Sequence, residues 1–101
     1  MKIACDLFTS SIKFQVITKA ILKKIKKKFP NIEIINTKNK KFLKQISEIN
    51  IYWGNRIDVN LINKMPNLKW IHYGSTGVNT KVLEIANKKG IILTNSRRFF
   101  D

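Results

Sequence analysis

The chain has 101 residues, enough for one modest hydrophobic core and too few for that core plus a nucleotide-binding domain. Seventeen lysines and three arginines against six acids leave a formal net charge of +14, yet arginine, whose planar fork suits phosphate and base edges, is scarce, which argues against an evolved nucleic-acid site. Cys5 is the single cysteine, so an internal disulfide or a thiolate metal cluster is excluded, and no apolar run approaches the length of a membrane span or of a signal-peptide core.

In chain order, Lys2 to Asp6 reads as a short buried strand that carries Cys5 as an inert thiol. A loop with Thr9, Ser10 and Ser11 leads to an amphipathic helix over Gln15 to Phe29, with Ile17, Ile21, Leu22, Ile25 and Phe29 on one face and a lysine run opposite; Pro30 closes it. The run from Lys23 to Lys28 reads as the solvated face of that helix. Ile32 to Ile35 is a second strand, and Lys40 to Ser47 a weak helix turning Phe42, Leu43 and Ile46 inward.

Ile49 to Trp53 reads as the third strand, ending at Gly54, and Val59 to Lys64 as a short helix before the Pro66-Asn67 turn. Leu68 to Tyr73 is the fourth strand, with Trp70 expected in the core and His72 as a satisfied structural residue. Asn79 or Thr80 caps the next helix, whose apolar residues are Val82, Leu83, Ile85 and Ala86 and whose end is marked by Lys88, Lys89 and Gly90; Ile91 to Asn95 is the fifth strand. Strands alternating with helices predict a flavodoxin-like three-layer α/β sandwich with a five-stranded parallel sheet, residues 1–101 forming one domain.

In such a sheet ligands bind beyond the carboxyl ends of the strands. Three segments fall at that edge: Leu7 to Ser11, Trp53-Gly54-Asn55, and Gly74-Ser75-Thr76-Gly77-Val78. The last joins a strand to a helix N-terminus, where unpaired N–H groups and the helix dipole favour a small anion, and glycine lets the backbone approach it. Alone, the GxxG spacing also serves as a tight turn.

The stretch from Leu68 to Asn95 carries more than that spacing. Leu68-Lys69-Trp70-Ile71, then Gly77-Val78-Asn79, then Gly90-Ile91-Ile92-Leu93-Thr94-Asn95 resemble the N-terminal, substrate-binding (catalytic) domain of the D-isomer-specific 2-hydroxyacid dehydrogenases. The absence of a signal-peptide core and of a membrane-length apolar run points to the cytoplasm; the resemblance implies an NAD- or NADP-dependent oxidoreductase acting on small 2-hydroxy or 2-oxo acids, dimeric only when full length, and truncated here before its NAD-binding domain. It implies a substrate site at Trp53, Gly54, Ser75, Thr76, Gly77 and Val78, with Thr76 and Gly77 at the carboxylate and Trp53 as an apolar wall. The family's Asp after Gly-Val is Asn79 here, which caps a helix equally well but removes a charge.

No catalytic residue is assigned, because the resemblance places the catalytic Arg, Glu and His beyond residue 101, and neither Arg97 nor Arg98 matches the Arg. No cofactor or metal residue is assigned either: glycines at 54, 74, 77 and 90 cannot form a GxGxxG turn, and His72 and Cys5 make no metal set. Two other readings compete. In a KH-like RNA-binding module Gly74 to Gly77 would clamp the nucleic-acid backbone, although such a loop joins two helices; a stand-alone flavodoxin-like interaction domain would carry no chemistry.

Overall fold

A computed structural model describes residues 1–7, 18–74 and 78–95. Five parallel strands, β1 (Lys2–Cys5), β2 (Glu33–Asn36), β3 (Ile51–Trp53), β4 (Trp70–His72) and β5 (Ile92–Thr94), form one sheet in the order β2-β1-β3-β4-β5. Among the described residues four α-helices connect them: α1 (Lys19–Lys28), α2 (Lys40–Gln45, continued by a 3₁₀ turn at Ile46–Glu48), α3 (Val59–Asn63) and α4 (Thr80–Lys89). The architecture is the expected flavodoxin-like α/β sandwich.

Strand order and handedness set the layers. The step from β1 to β2 runs one way across the sheet and the later steps run the other, so right-handed crossovers place α1 on one face and α2, α3 and α4 on the opposite one. Register confirms the division, because Ile35, Ala4, Tyr52, Ile71 and Leu93 align across the five strands. That row meets Phe42, Ile62, Val82 and Ala86 in the main core. The alternate row, Ile34, Ile3, Ile51, Trp70 and Ile92, faces the other way. On that side Cys5 and Leu7 form a small cluster with Leu22, Ile34 and Trp53.

The local signals largely act as read. Asn79 caps α4, its Oδ1 accepting from Lys81 N at 2.9 Å and Val82 N at 3.3 Å, and Gly90 ends the helix at φ +70°, a left-handed conformation that suits glycine. Thr18, Asn39 and Asp58 cap the other three helices through their side-chain oxygens. Asn79→Ala is expected to lower stability by about 1 kcal/mol, read from urea unfolding.

Several expectations need correction. The strands are shorter than the apolar runs, because parallel pairing spans only the residues that find partners: Ile49 is buried in the core before β3, and Leu68 before β4. Leu43 turns outward and is 70% exposed, since α2 is only six residues long and contributes Phe42, with Ile46 beyond its end, to the core. On α1 only Leu22 packs against the inner cluster, while Ile21 and Phe29 are exposed. Trp70 is 39% exposed rather than core, because it belongs to the row that α2, α3 and α4 do not cover. The predicted start of α1 at residues 15–17 lies outside the described residues.

Candidate active site at the carboxyl edge

The carboxyl ends of β1, β3 and β4 converge, and a buried carboxylate organises them. Asp6, the residue after β1, is 7% exposed. Its Oδ2 accepts from the Tyr52 hydroxyl at 2.6 Å and from Arg56 N at 2.7 Å, and its Oδ1 accepts from Asn55 N at 2.9 Å. Three donors satisfy one charge in a desolvated position, which turns a costly burial into a lock on the loop after β3. Burial and the adjoining carboxylate push the Tyr52 hydroxyl far above its ordinary range, so it stays a proton donor.

Gly54 begins that loop because nothing larger fits. A Cβ there would lie 2.0 Å from Asp6 Oδ1. Its N–H donates to His72 O at 3.0 Å, tying the loop to the end of β4. Trp53, one residue earlier, is half-buried against the Cys5 and Leu7 cluster, with its backbone carbonyl accepting from Asp6 N at 3.2 Å. Burial raises the Cys5 thiol to about 11, so it stays protonated and inert near neutrality, in keeping with the sequence reading.

The loop after β4 approaches from the other side. A Cβ on Gly74 would come within 3.1–3.2 Å of the Leu7 methyls and 3.4 Å of Asn55 Oδ1, so three chain segments meet within van der Waals distance there. Val78 packs against the main core and Asn79 opens α4, which aims the helix N-terminus at the edge. Ser75, Thr76 and Gly77, the centre of the expected carboxylate contact, lie outside the described residues. Trp53 and Gly54 lie at the carboxyl end of β3, and Val78 lies just ahead of α4.

His72 has a structural partner, as read from sequence. Its Nδ1 lies 2.7 Å from Thr94 Oγ1, which also accepts from Trp70 Nε1 at 2.8 Å. Burial lowers the imidazole pKa, favouring the neutral ring. The residue sequence reasoning missed is Asp6. Its signal was an acidic residue at the end of an apolar strand, but the partners that give it a role are 46 to 50 residues away. Among the described residues no group of three His, Cys, Asp or Glu side chains could hold a metal ion, and no helix is long and apolar enough to cross a membrane.

The connection from β1 to α1, residues 6–18, contains no glycine and so does not carry the GxGxxG pattern of a dinucleotide-binding turn. The strand–loop–helix geometry around Gly74 also differs from a KH clamp, which joins two helices, because β4 precedes this loop.

Comparison with known proteins agrees with this layout. The family model for the D-isomer specific 2-hydroxyacid dehydrogenase catalytic domain matches residues 6–99, and the chain belongs to that family. No curated protein matches the chain.

Proposed function

We propose that this chain is the substrate-binding portion of an NAD(P)-dependent oxidoreductase that acts on the CH–OH group of D-2-hydroxy acids and the corresponding 2-oxo acids, and that it has no turnover by itself. The observation that carries the reading is the approach of the Asp6-locked loop to Gly74, at the carboxyl end of β4 and ahead of the N-terminus of α4, in a chain of this family. Backbone N–H groups of Thr76 and Gly77 would hold the substrate carboxylate, with Ser75 and Val78 beside them, and Trp53 and Gly54 would bound the side-chain pocket. The chain's share of the reaction is then to orient the acid and exclude water.

Hydride chemistry belongs to a nicotinamide cofactor held by a separate Rossmann domain that also carries the Arg, Glu and His of the reaction. The same reading places the completed enzyme in the cytoplasm as a homodimer. Its single-domain portion is residues 1–101, and the +14 charge assists capture of an anionic substrate without specifying it.

Two measurements on the purified 101-residue chain test this. Mixed with NADH and small 2-oxo acids it is expected to show no cofactor oxidation; turnover that survives removal of host enzymes would overturn the division of labour. Titration with pyruvate, followed by amide NMR, is expected to give saturable shifts at residues 54–56 and 74–79. Shifts absent from that edge, or confined to α1, would overturn the site.

A further inference from the structure

Strand β2 ends the sheet: among the described residues it pairs only with β1. Glu33 N donates to Met1 O at 3.0 Å and Thr37 N to Cys5 O at 3.1 Å, and this alternation turns the backbone groups of Ile34 and Asn36 away from β1. Asn36 O is taken by Asn39 N at 2.9 Å. The outward row therefore keeps Ile34 N–H, Ile34 C=O and Asn36 N–H, a donor, an acceptor and a donor in the spacing that a further strand reads.

A hollow of about 260 Å³ adjoins this row, with Leu22 and Ile34 as its floor and Lys19, Lys23 and Lys26 of α1 as its rim. Among the described residues none of these three lysines forms an ion pair. Glu33, the acid at the start of β2, pairs instead with Lys41 of α2 on the opposite face of the sheet. Lys19 and Lys26 stand seven residues apart on one helix, about 10 Å along its axis. A strand laid beside β2 would set one residue next to Ile34 with its side chain in the hollow, and the residues two before and two after it on the same face, about 13 Å apart. With an apolar residue in the middle and acids at both ends, its carboxylates would meet the two ends of the lysine rim.

The lysines also decide against a second copy of the chain. They repel another protein of charge +14, and no two of its six acids, Asp6, Glu33, Glu48, Asp58, Glu84 and Asp101, stand four residues apart. We propose that the β2 edge docks, by strand addition, an extended segment of an acidic partner protein with the pattern acid-x-apolar-x-acid. Main-chain hydrogen bonds to Ile34 and Asn36 hold the segment, and the hollow and its lysines select it.

The test titrates the 101-residue chain with a capped peptide centred on Glu-Thr-Leu-Thr-Glu and follows it by amide NMR and amide exchange. Saturable binding is expected, with shifted resonances and slowed exchange at Ile34 and Asn36 and little change in exchange at Ile35, whose N–H already serves β1. A peptide of the same composition centred on Glu-Leu-Thr-Thr-Glu turns its apolar side chain to the other face and is expected to bind clearly more weakly. Lys19→Gln, Lys23→Gln and Lys26→Gln together, all at exposed positions, are expected to weaken the first peptide by about tenfold. No saturable binding, unchanged exchange at Ile34 and Asn36 in the saturated complex, equal affinity for the reordered peptide, or full affinity in the triple variant would each overturn the proposal. So would a chain that ignores the peptide and sediments with phosphatidylserine vesicles, because the lysines would then serve a membrane surface.

Discussion

Gly54→Ala is expected to destabilise the domain by about 3 kcal/mol or more, in the class of changes that disrupt a buried polar network. The new methyl would sit 2.0 Å from Asp6 Oδ1 and 2.3 Å from its Cγ, and the carboxylate cannot step aside without releasing Tyr52, Asn55 and Arg56 together. Asp6→Asn gives an independent view of the same lock. It replaces one acceptor oxygen by a donor that meets a donor, whichever way the amide turns, so a loss of roughly 2–3 kcal/mol is expected from an unpaired buried group. Tyr52→Phe removes a single hydrogen bond and should be milder than either. Gly74→Ala should also be milder, because its contacts are the methyl ends of Leu7 and the amide oxygen of Asn55, side-chain atoms rather than a fixed charge. Urea unfolding of the four variants measures the order. Gly54→Ala as stable as the parent would mean that the carboxylate does not hold the loop.

The second large effect concerns the proposed carboxylate loop and is read in the enzyme completed by its cofactor domain. Gly77→Val should block close approach of the backbone to the substrate oxyanion and lower kcat/KM by a factor on the order of 10²–10³, the scale of losing an oxyanion donor. Thr76→Ala should do far less, since the backbone N–H survives. Trp53→Ala should change the preference among 2-oxo acid side chains, because an apolar wall governs discrimination more than chemistry. Trp53 also packs on Cys5 and Leu7, so this variant is compared only after its unfolding midpoint is known. A folded Gly77→Val enzyme with unchanged kcat/KM for small 2-oxo acids would remove the carboxylate from this loop.

Much of the architecture was legible in the residues because it is decided locally. Alternation of short apolar runs with amphipathic stretches set the number and order of strands and helices, Asn79 and Gly90 marked the two ends of α4, and the quoted motifs pointed to the family. Proline and glycine placement delimited the turns, since their backbone restrictions act on immediate neighbours.

What the residues could not declare is which apolar side chains would be covered. Trp70 and Ile71 are adjacent and both apolar, yet Ile71 is fully buried and Trp70 is open, because strand neighbours point to opposite faces and crossover handedness stacks α2, α3 and α4 on one of them. Leu43 and Phe42 divide in the same way on α2. Asp6 is the sharpest case. In the sequence it interrupts an apolar run, and only the pairing of β1 with β3 brings Tyr52, Asn55 and Arg56 to its carboxylate, from 46 to 50 residues away. Periodicity reports the face a residue prefers; the cover on that face, and the partners of a buried charge, are properties of the assembled sheet.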